Sequence, residues 1–328
     1  MTEENSSQPI FVFSLPRSGS TLTQRILSSH PKISSKSETW LLLPLFYSMR
    51  RQGAMAVYGH DKQVSAIADL CESLPGHEDD YLEAIQVLAN TLYRRASEGD
   101  SKYFVDKTPR YHLIVEEIIN TFPDAKFIFL WRNPLSIIAS IITTWGGGKW
   151  NLFQFYIDLY KGLENLVVSC RKHKDKVLAV CYEDMVADPE NTCRKIFSYL
   201  GLEYMPELLE NFTRVEFSGV MGDQEGSRQY KEISELSSNK WRSVLNNPVR
   251  KFWCRRYLCA IGKTRLEFIG YKQASLASDL KQAPLHFRYI FSDLARMLYG
   301  ILHRTLDIPV FRKKLEEYRY EGRMYPHN

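Results

Sequence analysis

The segment from Ile10 to Leu27 limits the fold of this chain more than any other. Residues Ile10 to Leu15 form an apolar run of the length of a buried strand, and apolar residues recur at helical spacing from Leu22 onward. Between these patterns lie the turn-forming residues Pro16 to Gly19. A strand that passes directly into a helix is the repeating unit of a parallel α/β sheet, so the segment predicts that fold class.

The predicted turn has the features of an anion-binding site. A helix that begins here would direct its unpaired backbone N–H groups and the positive end of its dipole toward the turn. Side-chain donors stand at the same place, on Arg17, Ser18, Ser20 and Thr21. An ordinary strand-to-helix turn with a serine cap explains the same residues, and the turn alone does not decide between the two interpretations.

The turn lacks the residues of a nucleoside-triphosphate P-loop. Such a loop ends in Gly-Lys-Ser or Gly-Lys-Thr, with the hydroxyl on Mg²⁺, whereas here Arg17 precedes the only glycine of the turn. The clearest strand pattern, Lys126 to Trp131, is followed by Arg132 where a Mg²⁺-binding aspartate would stand. These differences disfavour a nucleotide kinase or hydrolase, and they predict a phosphate or phosphosulfate ligand that binds without a metal.

Strand patterns followed by helical patterns occur four times along the chain. The later strands are expected at Tyr103 to Asp106, Lys126 to Trp131 and Val177 to Tyr182. Four such units predict a parallel sheet with helices on both faces. Ligands bind at the carboxyl ends of parallel strands. The polar residues after the second strand are therefore candidates by position, namely Asp106, Lys107 and Arg110.

Three further segments complete the predicted architecture. The polar residues Ser34 to Thr39 predict a loop that leads into a helix, where Glu38 is an ordinary helix-start acid. Residues from about Arg51 to Gly99 predict helices. The polar, glycine-containing segment from Glu203 to Asn239 predicts a long functional loop.

Composition narrows the class of protein. With 328 residues, of which 44% are hydrophobic, the chain can form one large domain or a domain with an appendage. The formal charge of +5 favours anionic ligands, and no nucleic-acid recognition motif is present. Residues 1–9 lack the features of a signal peptide, and no apolar run reaches the length of a membrane span. Six cysteines without a CxxC pair predict reduced thiols in a cytoplasmic protein and disfavour a zinc site.

The chain changes character near residue 273. Residues Leu285 to Leu302 show apolar residues at helical spacing, accompanied by arginines, and a basic tail with tyrosines follows. We therefore expect a main domain at residues 9–272 and a helical, basic extension at residues 273–328. Peripheral contact with a membrane or a polymer is one interpretation of the extension. A helix docked on the domain, followed by a solvated end, is the simpler one.

Over roughly residues 9–270 the chain resembles the sulfotransferases that use 3′-phosphoadenosine 5′-phosphosulfate (PAPS), particularly the branch of tyrosylprotein and bacterial sulfotransferases. The resemblance rests on the order and spacing of several short motifs: Pro16 to Leu22, Ser37 to Thr39, Lys107, Arg132 with Ser140, Tyr182 to Asp184, and Lys240-Trp241. It implies a P-loop-like parallel sheet. It also implies sulfuryl transfer from PAPS to a hydroxyl of a glycan, lipid, small molecule or peptide tyrosine, with adenosine 3′,5′-bisphosphate as the product.

The resemblance also implies roles for single residues. Glu38 would be the general base, and Lys107 and Arg17 would stabilise the reacting groups. The expected donor-binding residues are Arg17, Ser18, Gly19, Ser20, Thr21 and Leu22 for the 5′-phosphosulfate, Arg132 and Ser140 for the 3′-phosphate, and Tyr182, Lys240 and Trp241 near the nucleotide. The catalytic histidine that small-molecule sulfotransferases carry after the second strand has no counterpart here, and His112 is not given that role. A nucleotide kinase and a non-catalytic nucleotide-binding scaffold remain the alternatives.

Overall fold

The computed structural model describes residues 7–54, 56, 58–217, 221, 239–306, 308, 310–312 and 315. In this part of the chain, five parallel strands form one sheet in the order β2-β3-β1-β4-β5. The strands are β1 (Gln8–Ser14), β2 (Ile33–Ser35), β3 (Tyr103–Asp106), β4 (Lys126–Trp131) and β5 (Val177–Cys181). The predicted parallel α/β fold is confirmed.

Among the described residues, fifteen α-helices connect and follow the strands. The first ten are α1 (Ser20–Ser28), α2 (Leu42–Tyr47), α3 (His60–Ser73), α4 (Glu78–Ala96), α5 (Val115–Thr121), α6 (Pro134–Thr144), α7 (Leu163–Lys172), α8 (Tyr182–Ala187), α9 (Pro189–Leu200) and α10 (Leu208–Asn211). The last five are α11 (Trp241–Val244), α12 (Pro248–Ile261), α13 (Lys263–Phe268), α14 (Gln273–Gln282) and α15 (Ile290–Thr305). Short 3₁₀ turns lie at Pro109–Leu113, Leu152–Phe155 and Phe212–Arg214, and a π-helix at Ile157–Gly162.

Strand β2 is the element that the sequence pattern missed. Residues Ser34 and Ser35 were expected to begin a loop, but Ile33–Ser35 pairs with β3 at the edge of the sheet. A three-residue strand at the edge of a sheet needs little apolar surface. Ile33–Ser35, which contains two serines, therefore shows no apolar run in the sequence. The sheet therefore has five strands rather than the four expected.

Alternation of side chains along the central strands builds two apolar layers. On β1, Phe11 and Phe13 pack with Phe127 and with helices on one face of the sheet. Ile10 and Val12 pack on the opposite face with residues of α1, α8 and α9. Successive strand residues point to opposite faces, so β1 is apolar throughout and covered on both sides.

Helix α15 is docked on the domain by a buried ion pair and a close helix contact. Asp293 is fully buried, and its Oδ2 accepts hydrogen bonds at 2.7 Å from Arg250 Nε and from Asn247 Nδ2. Gly300 lies against Phe153, because a Cβ at residue 300 would stand 2.8 Å from the Cβ of Phe153. The predicted boundary between the main domain and the extension, after residue 272, stays a prediction.

Two expectations concern segments with little described structure. Of the predicted long loop from Glu203 to Asn239, residues 218–220 and 222–238 lie outside the described residues. The predicted basic tail also lies mostly beyond them. Among the helices that are described, none is both long enough and apolar enough to span a bilayer.

Candidate active site

Only glycine suits the last position of the turn between β1 and α1. Gly19 has a φ of 92°, and Arg17 also has a positive φ, of 65°. A Cβ at residue 19 would lie 2.3 Å from Cδ2 of Tyr182. Glycine is thus required at residue 19 twice, by the left-handed backbone and by the ring packed against it.

Backbone donors at the start of α1 are left for a ligand. The cap residue of α1 is Gly19, no side chain caps the helix, and its first turn contains no acidic residue. The serine-capped turn that the sequence left open is therefore absent. The Ser18 hydroxyl oxygen is buried and has no hydrogen-bond partner among the residues that the structure describes. A buried donor beside free N–H groups at a helix start suits an anion.

The other predicted loop residues differ in what they can offer. Ser20 and Thr21 are buried in the first turn of α1, where backbone N–H groups have no partner within the helix. Leu22 packs its side chain in the core with Ile10 and Val12. Only the backbone N–H of Leu22 can therefore serve an anion.

Arg17 joins the loop to α6. Its Nε donates to Ser140 Oγ at 3.1 Å, and its Nη2 donates to Thr144 Oγ1 at 3.3 Å. The guanidinium also lies over the ring of Trp145, 5.3 Å from its centroid. Ser140 and Arg17, predicted separately, are thus in direct contact.

Arg132 reaches the same loop from the end of β4. Its Nη1 donates to the backbone oxygen of Arg17 at 2.7 Å, and its guanidinium lies 4.2 Å from the centroid of the Tyr182 ring. The neighbouring backbone is fixed, because Asn133 caps α6 and its N–H donates to Glu183 Oε1 at 3.0 Å. Two arginines, one within the loop and one beside it, therefore place two positive charges at this site, which favours an anionic ligand.

The predicted residues Lys240 and Trp241 stand at the start of α11, which packs against α6. Trp241 is buried, whereas Lys240 is exposed. The loop that leads into them lies outside the described residues, so their relation to a bound nucleotide stays a prediction.

The predicted base and lysine form a second centre at the ends of β2 and β3. Lys107 Nζ lies 2.7 Å from Glu38 Oε1, and the two side chains are 3% and 9% exposed. Trp40 Nε1 donates to Glu38 Oε2 at 3.2 Å, from a residue whose φ is 51°. Glu38 is therefore a held, nearly buried carboxylate rather than the helix-start acid of the simpler interpretation.

A hydroxyl network that the sequence did not reveal supports this centre. Asp106 is fully buried, and its Oδ2 accepts hydrogen bonds from Tyr93 at 2.6 Å, Tyr111 at 2.8 Å and Thr39 Oγ1 at 2.8 Å. Thr108 Oγ1 donates to Oδ1 at 3.3 Å. Burial raises the pKa of Asp106, and the hydroxyl donors oppose that change. Asp106 thus binds the neighbours of both Glu38 and Lys107, which fixes the backbone from which each side chain extends.

Gln24 connects the two centres. Its Nε2 lies 2.8 Å from both Ser35 Oγ and the backbone oxygen of Lys36, so α1 holds the segment that leads to Glu38. The carboxyl ends of β1, β2, β3 and β4 share one edge of the sheet. The loop between β1 and α1 at residues 15–19, called the anion-binding loop below for its proposed role, and the Glu38–Lys107 pair therefore border the same region.

His112 and Arg110 belong to a different structure. His112 Nε2 lies 2.8 Å from Asp158 Oδ1, and both side chains are fully buried. Arg110 Nε lies 3.2 Å from the same carboxylate oxygen. Both residues therefore anchor the π-helix at Ile157–Gly162. Arg110, a candidate by position, is engaged there rather than with the Glu38–Lys107 pair.

Comparisons with known proteins show the family of this chain. A family model described as the sulfotransferase family matches residues 9–206. The chain is 33% identical over 272 residues to nodulation protein NoeE of Sinorhizobium fredii, covering 75% of this chain and 63% of that protein. It is 26% identical over 251 residues to protein-tyrosine sulfotransferase 1 of Danio rerio, covering 72% of this chain and 66% of that protein.

One solved structure that resembles this chain is also a sulfotransferase domain. The sulfotransferase domain of the Synechococcus PCC 7002 olefin synthase is 25% identical, with a TM-score of 0.49, over 74% of this chain and 90% of that domain. The chain spans under two thirds of the length of NoeE. The family match covers more than half of the chain, and the family expected from the short motifs is confirmed: the chain belongs to the sulfotransferase family.

Proposed function

We propose that this protein transfers a sulfuryl group from PAPS to a hydroxyl group of an acceptor. The observation that carries the proposal is the joining of two centres at one sheet edge. Arg17, Arg132 and Ser140 meet at an anion-binding loop, and Gln24 ties the helix of that loop to the segment bearing Glu38. One centre suits a donor with two anionic groups, and the other suits removal of a proton from an acceptor.

The proposed donor site is built from the residues that surround the loop between β1 and α1. The Ser18 hydroxyl and the first N–H groups of α1 would hold the 5′-phosphosulfate. Arg132 and Ser140 would bind the 3′-phosphate, since a guanidinium can donate two parallel hydrogen bonds to a phosphate. The Tyr182 ring, packed on Gly19 and under Arg132, would border the nucleotide.

The chemistry assigned to the second centre is an in-line displacement at sulfur. The acceptor oxygen forms a bond to sulfur while its proton passes to the Glu38 carboxylate, and the bond from sulfur to the phosphate oxygen breaks. The electron pair of that bond leaves with adenosine 3′,5′-bisphosphate. Lys107 and Arg17 stabilise the charge that develops on the sulfonate and leaving oxygens, and each such donor is worth about a hundredfold in rate.

Two other functions use parts of this arrangement. A nucleotide kinase would need a Mg²⁺-binding acid at the end of β4, where Arg132 stands. A scaffold that binds the nucleotide without catalysis would have no need of a nearly buried Glu38–Lys107 pair held by four hydroxyls on Asp106. The acceptor class stays open among glycan, lipid, small molecule and peptide tyrosine.

Thermal unfolding with adenosine 3′,5′-bisphosphate, and separately with Mg-ATP, tests the donor. A ligand that binds the folded state at a hundredfold excess over its Kd adds about 2.7 kcal/mol, which corresponds to a rise in Tm of about 3 °C or more. We expect that rise with the bisphosphate alone. Arg132→Ala should abolish it, and Arg194→Ala, in an exposed pair with Glu190, should preserve it. A rise with Mg-ATP alone would indicate a kinase.

Turnover separates the enzyme from the scaffold. Purified protein is incubated with PAPS carrying radioactive sulfur and a panel of phenols, glycans and lipid alcohols, and labelled product is measured. Label transferred to any acceptor supports the proposal. Bisphosphate binding without label transfer to any member of the panel favours the scaffold.

A further inference from the structure

We propose that the exposed face of α15 binds the surface of membranes that contain anionic lipids. This outer face consists of Phe291, Leu294, Leu298, Ile301 and Leu302, of which Phe291 is 88% exposed and Ile301 59% exposed. Membrane binding through this face is independent of the sulfuryl transfer proposed above.

The outer face is a continuous stripe. Its residues recur at the spacing that places side chains on one side of a helix, and the stripe runs the length of α15. The segment before the helix adds the exposed side chains of Leu285 and Phe287. A helix that faced only water would carry polar residues here, so this stripe indicates a surface that contacts something apolar.

The rest of α15 is already used for docking. Asp293 is buried in its pair with Arg250, and Gly300 lies against Phe153. Arg296 Nη1 donates to Asn151 Oδ1 from the same side. These contacts hold the helix in one rotation about its axis, with the outer face directed away from the domain.

Charge favours an anionic bilayer as the occupant. Between residues 283 and 306 the chain contains one acidic residue, Asp293, and it is fully buried. Arg288, just before α15, and Arg304, in its last turn, are both exposed. An apolar stripe with flanking arginines is the composition of helices that lie in a membrane interface, with arginines at the level of anionic headgroups.

A second copy of the chain suits this face less well. In a symmetric dimer the same patch meets itself, so Arg288 and Arg304 would be brought toward arginines of the other copy. The described part of this segment offers no exposed acid to pair with them. Like charges placed together oppose association.

The outer face is connected to the candidate active site by packed residues. Below α15, Phe153 belongs to the turn Leu152–Phe155, and Phe155 stacks on Trp145 with ring centroids 5.0 Å apart. Arg17 lies over that same Trp145 ring. The side of α15 opposite the outer face therefore packs on a segment that contacts the loop between β1 and α1 through Trp145.

Co-sedimentation with vesicles tests the proposal. Full-length protein is centrifuged with sucrose-loaded vesicles of phosphatidylcholine, with or without phosphatidylglycerol, and the pelleted fraction is measured. We expect binding to vesicles that contain phosphatidylglycerol, weaker binding to neutral vesicles, and partial loss of binding at high salt. Failure to pellet with the anionic vesicles at low salt would overturn the proposal.

Variants assign the binding to α15. Replacing Phe291 and Leu298 together by Gln should lower the partition coefficient about tenfold or more, because both side chains would insert their apolar surface. Leu70→Gln removes an equally exposed leucine on α3 and should bind as the wild type. Equal binding by the double variant and the wild type would contradict the assignment. Tm of each variant verifies that it is folded.

The oligomeric state distinguishes the competing occupant. Sedimentation velocity of the wild type without vesicles should give the mass of one chain at micromolar concentration. A dimer that the double variant converts to monomer would show that a second copy covers this face, and the membrane proposal would fail.

Discussion

Lys107 Nζ lies 2.7 Å from Glu38 Oε1, in an ion pair between two side chains that are almost fully shielded from water. The lysine comes from the end of β3 and the glutamate from the segment after β2, so neighbouring strands of the sheet create the pair. The Coulomb attraction between two charges is stronger in a shielded site than at the surface. Loss of one partner there is costly, because the other charge stays buried without compensation. The pair therefore gives the proposed reaction a fixed base and a fixed cation in contact.

Glu38→Gln should bind the donor product and lose turnover. The amide keeps the shape of the side chain but cannot accept the acceptor proton, so the rate should fall by about a hundredfold or more. Adenosine 3′,5′-bisphosphate should raise Tm as it does for the wild type, because the anion-binding loop is unchanged. Glu98→Gln, which alters an exposed acid paired with Lys36, is the control and should keep full activity. Wild-type turnover by Glu38→Gln would exclude it as the base.

Gly19→Ala should abolish donor binding. The added methyl would stand 2.3 Å from the Tyr182 ring at a φ of 92°, so the loop or the ring must move. Gly147→Ala is the matched control, since its φ is 56° but nothing lies within 4 Å of the added atom. Backbone strain alone should cost Gly147→Ala about 1 kcal/mol of unfolding free energy and leave bisphosphate binding intact. Calorimetric titration with the bisphosphate separates the two effects.

The strand that ends in Arg132 and the loop that begins at Arg17 were both predictable, because apolar runs and turn residues are local features of a sequence. Their meeting was not. The hydrogen bond from Arg132 to the backbone of Arg17 joins residues 115 positions apart, and only the order of the strands brings them together. The resemblance to sulfotransferases assigned both residues to one donor molecule, at different phosphates, but did not predict their direct contact.

The residues missed near Glu38 show a second limit. Tyr93 lies on α4, where the sequence showed an amphipathic helix without chemistry, yet its hydroxyl donates to Asp106. Periodicity assigns a tyrosine to the buried side of a helix but does not indicate what its hydroxyl will contact. On the same helix Leu88 and Leu92 are more than 40% exposed, whereas Ile85 and Ala89 are buried.

Thiol reactivity should single out Cys259. Burial raises the pKa of Cys170 and Cys193 to about 12 and that of Cys181 to about 11, whereas Cys259 is exposed. Because thiolates are the reacting species, one thiol should react quickly with Ellman's reagent at pH 8, and all six in denaturant. Cys259→Ser should remove the fast phase. Rapid reaction of two or more thiols in the folded protein would contradict the packing around the buried cysteines.

Asp106→Asn should change how the stability of the protein depends on pH. Burial raises the pKa of Asp106 in the folded state above its ordinary value of 3.8, so the folded protein holds the proton more tightly than the unfolded chain does. Below the pKa of the unfolded chain the carboxyl is protonated in both states, and the folded protein keeps its full stability. As pH rises through the raised folded pKa, the buried carboxyl must ionise and the folded protein loses stability. Urea unfolding from pH 4 to pH 8 should show the wild type losing stability relative to Asp106→Asn over that interval. A constant difference would contradict the raised pKa.

Tyr93→Phe removes one hydrogen-bond donor to the same carboxylate and should lower the free energy of unfolding by about 1–3 kcal/mol. It should also lower turnover, because the Glu38–Lys107 pair would shift, while bisphosphate binding stays unchanged.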